Sequence, residues 1–252
     1  MNAHPRIAQP VVGLNVPAAV GMKLEDVATP ALIVDLDAFE KNVETMAAFI
    51  RQKNIRHRAH AKTHKSADIA LYQIEHGGAC GVCCQKVAEA EALVAGGVKD
   101  VLVSNQVVDK AKIDRLAQMA KRARVLVCVD DLGNIDDLSV AAVKHGSSIE
   151  CLVEIDCGAG RCGVQWGAPV VELATSIAAS QGLKFSGLQA YQGAAQHVHD
   201  FETRKSQIET ATAQVAETVK MLKAKGLVCD IVGGAGTGTY YFEGTSGVYN
   251  EM

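Results

Sequence analysis

The chain has 252 residues, 48% of them hydrophobic and 21% charged, with a net charge of −3; the length fits one large domain or two small ones, and the composition excludes a disordered or fibrous chain. No basic excess exists to bind a nucleic-acid backbone, and no apolar run reaches the roughly 18 residues needed to span a membrane. Pro5, Pro10 and Pro17 interrupt an N-terminus without a signal-peptide core, so the eight cysteines read as reduced thiols of a cytoplasmic protein.

Residues 1–23 read as an extended arm. From residue 24 onward short β-branched runs alternate with amphipathic stretches. Strands are predicted at 31–35, 57–62, 79–84, 100–104, 124–130, 150–156, 184–190 and 229–233. Helices are predicted at 37–53, 66–76, 86–95, 109–121, 131–144, 168–180 and 201–225. Runs such as Val125-Leu126-Val127-Cys128-Val129 are apolar throughout, as strands covered on both faces of a parallel sheet are. Asp37 with Glu40 has capping-box spacing, and Gly77, Gly96, Gly146, Gly182 and Gly226 follow helices where a left-handed cap is expected. Eight strands and seven helices make an α/β protein of the (β/α)8 TIM-barrel type over residues 24–252, in preference to an open doubly wound sheet.

In such a barrel the chemistry sits where strands end. After the eighth predicted strand, Gly233-Gly234-Ala235-Gly236-Thr237-Gly238-Thr239 offers successive N–H groups and two hydroxyls, an anion nest suited to phosphate; the alternative is a plain turn into a closing helix. Lys62 ends the second predicted strand among Arg58, His60, His64 and Lys65, and these like charges favour the free amine that condenses with an aldehyde; the alternative is a solvated basic rim. A phosphate cradle with a mouth lysine is what pyridoxal phosphate requires. Gly158 to Gly163 matches GxGxxG, but the next helix starts too late for a dinucleotide turn. Cys80 and Cys83 form a CxxC inside a strand, a poor place for zinc or redox work. Glu154 reads as a residue inside the barrel, and His197 with His199 as a ligand pair, a proton carrier or solvated loop residues.

The segments RAHAKTHK (58–65), GVCCQ (81–85), EIDCGAGRCGV (154–164), QAYQG (189–193), GTGT (236–239) and YYFE (240–243) together resemble the fold-type III pyridoxal phosphate enzymes. Within these the resemblance is to the D-threonine aldolase and D-serine dehydratase branch, and there to the β-hydroxyaspartate (3-hydroxy-D-aspartate) aldolases. It implies the N-terminal barrel of the alanine racemase type. Lys62 would carry the cofactor, Gln85 and Tyr191 would contact it, and Arg161 would lie near its 3′-oxygen. Gly236, Thr237, Gly238 and Thr239 would hold the phosphate. His197 would take the β-hydroxyl proton, His60 and His64 would line the mouth, and Arg58 or Lys65 would clamp the extra carboxylate of the substrate. Where alanine racemases place an arginine against the pyridine nitrogen, this chain has Gly234 or Ala235. The resemblance further implies a homodimer and a C-terminal β domain binding a divalent metal (Mg, Mn or Zn), whose ligands are expected beyond Met252, so the chain reads as a fragment. The implied reaction cleaves 3-hydroxyaspartate to glycine and glyoxylate. Dehydration of D-serine or D-threo-hydroxyaspartate, and a non-catalytic pyridoxal phosphate carrier, are the alternatives.

Overall fold

The structure is a computed structural model describing residues 18–252; the prolines at 5, 10 and 17 and most of the predicted arm lie outside the described residues. The chain divides into two compact units, one up to Lys41 and one from Asn42 onward. The described part of the first holds a 3-10 turn, Leu24–Asp26, and the start of helix α1, Leu36–Lys53. The strand predicted at 31–35 is not one: these residues form no ladder and leave Leu32, Ile33 and Val34 exposed. Asp35 accepts the Ala38 N–H at 2.9 Å and is therefore the cap that the sequence assigned to Asp37.

The second unit holds seven strands among the described residues: β1 Arg58–His60, β2 Gly81–Cys84, β3 Asp100–Gln106, β4 Arg124–Val129, β5 Ile149–Glu154, β6 Leu183–Gln189 and β7 Ile231–Gly233. They pair in chain order, all parallel. The intervening helices are α2 Ala67–Glu75, α3 Val87–Ala95, α4 Lys110–Met119, α5 Leu132–His145, α6 Ala168–Ala179 and α7 Phe201–Ala224, with a short α8, Tyr240–Thr245, after β7. Ser66, Asp109, Asp131 and Asp200 cap α2, α4, α5 and α7 through side-chain oxygens. The left-handed turn falls on Gly146 after α5, as expected, but on Gly97 rather than Gly96 after α3.

The gap between β7 and β1 is filled by the last residues. Glu251 bridges Gly233 on one side and Arg56 on the other. Arg56 N–H donates to Asn250 O at 2.9 Å, Arg58 N–H to Met252 O at 2.7 Å, and Asn250 N–H to Val232 O at 3.1 Å. The eighth place in the ring thus belongs to this C-terminal stretch, not to residues 31–35.

Alternation along the strands separates two apolar layers. Val125, Val127 and Val129 face the helices with Leu116, Ile135 and Leu138, while Leu126 and Cys128 meet Cys83, Leu102, Leu152 and Ile231 inside the ring. Both layers are buried, hence the unbroken apolar runs. At the N-terminal ends of the strands the interior closes with charge. Arg58 pairs with Glu251 (2.6 Å) and Asp100, Asp100 with Arg124 (3.0 Å), and Arg124 with Glu150 (2.6 Å). Lys184 joins Glu150 and Asp230, each at 3.5 Å, and Arg56 returns to Glu251 at 3.1 Å. Gly81 makes this circuit possible: a Cβ there would lie 2.6 Å from Arg58 Nη1, blocking the guanidinium from crossing β2 to Asp100. Among the described residues no helix is long and apolar enough to cross a membrane.

Candidate active site

A cavity of about 240 Å³ opens within the ring and its C-terminal rim. Of the predicted site residues, Arg58, His60, Lys62, Gln85, Arg161, Tyr191, Gly236 and Thr237 line it; His64, His197, Gly238 and Thr239 do not.

Lys62 lies in the turn after β1 rather than ending the strand, because the chain curls as soon as Ala61 N–H has met Cys83 O at 2.7 Å. Lys65 N–H closes the turn on Ala61 O at 2.8 Å. His60 Nδ1 accepts the Lys62 N–H at 3.3 Å, which ties the imidazole to the backbone of the lysine. Burial, and then the Lys62 charge, push the His60 imidazole down to about 4, so the ring is neutral near pH 7. His64 turns away: its Nδ1 accepts the Ser66 N–H at 3.1 Å where α2 begins. Neither predicted clamp is free. Arg58 is 5% exposed and held by Glu251 and Asp100, and Lys65 pairs with Glu89 at 3.1 Å.

The glycine turn after β7 forms the opposite end of the chain's chemistry. A Cβ on Gly234 would stand 2.3 Å from Ala190 O, so only glycine lets β6 and β7 converge here. Ala235 follows at φ +104°, a strained value for a residue with a side chain, of the kind that accumulates at binding sites. The Ala235 and Thr237 N–H groups have no acceptor among the described residues. Gly238 and Thr239, in contrast, are spoken for. Gly238 N–H donates to Gln196 Oε1 at 2.8 Å. The Thr239 hydroxyl, 1% exposed, donates to Glu243 Oε1 at 2.7 Å and accepts from Gln196 Nε2 at 2.8 Å.

The GxGxxG loop between β5 and α6 also spends its N–H groups internally. Asp156 Oδ1 accepts those of Gly158 (2.9 Å) and Gly160 (3.0 Å), and Asp130 Oδ2 that of Gly163 (2.9 Å), leaving no pyrophosphate cradle. The loop instead presents Arg161, whose guanidinium carbon lies 5.9 Å from the Tyr191 ring centroid. Glu154 is inside the ring as expected, 6% exposed; it accepts from Gln106 Nε2 at 2.6 Å, and burial pushes its carboxyl up. Its hydrogen-bond partner was not apparent in sequence, since Gln106 reads there as a loop residue. All eight cysteines are free; burial pushes the Cys80 thiol up to about 11, and Cys83 is raised for the same reason. His197 ends a 3-10 helix, Ala194–His197, and is exposed. Among the described residues no three His, Cys, Asp or Glu side chains gather as a metal site.

The chain is 53% identical over 253 residues to a 3-hydroxy-D-aspartate aldolase of Paracoccus denitrificans (strain Pd 1222), an alignment covering all of this chain and 65% of that protein. It is 42% identical over 241 residues to a D-threonine aldolase of Arthrobacter sp., covering 96% of this chain and 63% of the relative. The crystal structure of D-threonine aldolase from Filomicrobium marinum superposes with a TM-score of 0.90 at 52% identity, over 93% of this chain and 63% of that one. The chain therefore spans just under two thirds of the length of these relatives. Residues 34–251 match the alanine racemase N-terminal domain over nearly the whole ring of strands, and the chain belongs to that family.

Proposed function

We propose that this chain is the cofactor-binding part of a pyridoxal phosphate-dependent lyase that cleaves a D-configured β-hydroxy amino acid, with 3-hydroxyaspartate, giving glycine and glyoxylate, as substrate. The observation that carries the reading is that Lys62 and the glycine turn, with the unpaired N–H groups of Ala235 and Thr237, line or adjoin one cavity. A primary amine for the aldehyde and free backbone donors for the phosphate are the donor set this cofactor needs, so the residues present fit it. When bound, pyridoxal phosphate supplies the electron sink for the breaking Cα–Cβ bond.

The chain's own residues do the rest. Lys62 would hold the aldehyde carbon, with neutral His60 fixing the lysine's backbone without adding a second charge. Arg161, which forms no ion pair among the described residues, would sit near the 3′-oxygen, with Tyr191 and Gln85 against the ring. Ala235, Gly236 and Thr237 would hold the phosphate. His197 would accept the β-hydroxyl proton; because it is exposed and outside the cavity wall, it would act on a substrate standing out of the mouth. A divalent metal held by residues beyond Met252, a homodimer and a cytoplasmic location belong to the same proposal, the last supported by eight free cysteines. Substituting Lys62→Ala is expected to remove the bound cofactor's absorbance near the visible edge and to lower cleavage by roughly a thousandfold or more. Persistence of colour and turnover would refute the lysine's role, and release of ammonia with a keto acid instead of glyoxylate would identify a dehydratase.

A further inference from the structure

We propose that Gln196 is a positioning residue that holds the glycine turn in its phosphate-accepting shape and ties that turn to the segment carrying His197. The proposal rests on the cofactor reading above. Gln196 lies on the 3-10 helix after β6, immediately before His197. Its side-chain amide reaches across to the turn after β7 and uses both ends. Oε1 accepts the Gly238 N–H at 2.8 Å, while Nε2 donates to Thr239 Oγ1 at 2.8 Å and to Gln192 O at 3.3 Å. The Thr239 hydroxyl gives its one proton to Glu243 Oε1, so its lone pairs are left to receive the amide.

That polarity makes the residue type specific. A carboxylate at 196 would keep the acceptor facing Gly238 but lose the donor facing Thr239; an aliphatic side chain would lose both. Packing is as close as the hydrogen bonding: a Cβ on Gly236 would fall 2.5 Å from Gln196 Oε1, so the turn lies directly on the amide. With Gly238 drawn toward Gln196 and Gly236 N–H directed at Thr239 Oγ1 (3.4 Å), the N–H groups of Ala235 and Thr237 are left over, and these are among the donors available to a phosphate. Gln196 itself does not line the cavity, so its effect passes through the turn.

The consequence is selective. Gln196 should matter for the phosphate end of the cofactor and not for its aldehyde end. The experiment titrates the 252-residue chain and its Gln196→Leu and Gln196→Glu variants with pyridoxal phosphate and, separately, with pyridoxal, which lacks the phosphate. Borohydride reduction and peptide mapping then locate the pyridoxyl group. Expected is a loss of about tenfold in pyridoxal phosphate affinity for Gln196→Leu, a larger loss for Gln196→Glu, whose charge repels the phosphate, and a change of less than about twofold for pyridoxal in both. Thermal midpoints serve as the folding control, and the glutamate variant, of nearly the same size, stands in if the leucine variant does not fold. Equal losses for the two ligands, or no loss for either, with the label on Lys62, would overturn the positioning role alone. A label absent from Lys62 would overturn the cofactor reading and this inference with it.

Discussion

His60 is a histidine that does not behave as the surface ring its polar neighbours suggest. Arg58, Lys62, His64 and Lys65 surround it in sequence, yet the ring is half-buried in the cavity wall at the end of β1, and burial pushes it down to about 4. In the unfolded chain the same ring binds a proton near its ordinary value of 6.5. The unfolded state therefore takes up a proton that the folded state refuses, and stability is lost as pH falls from about 6.5 toward 4. His57 and His64 are also lowered by burial and add to the same slope. Replacing His60→Gln is expected to flatten part of that fall, read as the urea midpoint at pH 7 and at pH 5. Identical pH dependence in variant and parent would show that the ring is protonated in the folded state too. Residue by residue, sequence and structure part where a polar atom has a local rival partner: Asp35 takes the cap from Asp37, and Gly238 and Thr239 give their donors to Gln196 and Glu243.

Strands show how far an element can be read without its neighbours. β2, β4 and β5 were legible because their Val, Leu and Cys runs are buried on both faces, and such a run has few other uses. The run Leu32-Ile33-Val34 carries the same local signal but has no ladder, and a strand exists only through its partners. The reverse holds for Asn250, Glu251 and Met252, which close the ring with backbone groups and have no apolar run to announce them. Between β6 and β7 the decisive residue has no side chain at all. Gly187 sits at φ +138° beside the register shift of β5 and β6, and a Cβ there would lie 1.8 Å from Ile231 O. Gly187→Ala must part these strands as well as force an alanine into that backbone region. We expect a cost of about 3 kcal/mol, measured as a lower denaturant midpoint with an unchanged slope. A cost below about 1 kcal/mol would mean that β7 moves aside freely.

For the molecule as a whole, the mouth of the ring was legible and its floor was not. Lys62 and the glycine turn could be gathered from sequence because alternation fixes where each strand ends, and those ends share one rim, while Gln85, Arg161 and Tyr191 entered through the family resemblance and line the same cavity. Arg58 was misjudged as a substrate clamp because its partner, Glu251, lies 193 positions away and belongs to no predicted element. Burial works against the charge of Arg58, and Glu251, with Asp100, outweighs it. The guanidinium is 5% exposed and its Nη2 has no partner, so it has little capacity to lose another. Glu251→Gln would leave this charge in the interior half-compensated and weaken the side-chain pairs of Glu251 with Arg58 and Arg56, while the backbone bridges at the ring closure stay in place. Removing one member of such a buried pair costs about 3–5 kcal/mol, whereas replacing both with apolar groups of similar volume is often near neutral. Glu251→Gln is therefore expected to fall in that range, and the Arg58→Met, Glu251→Leu double variant to recover most of the loss, a coupling that a double-mutant cycle on denaturant unfolding measures directly. A double variant as unstable as the sum of the two singles would mean that the charges hold the floor independently, each through Asp100 or Arg56, and that the ring is closed by its backbone alone.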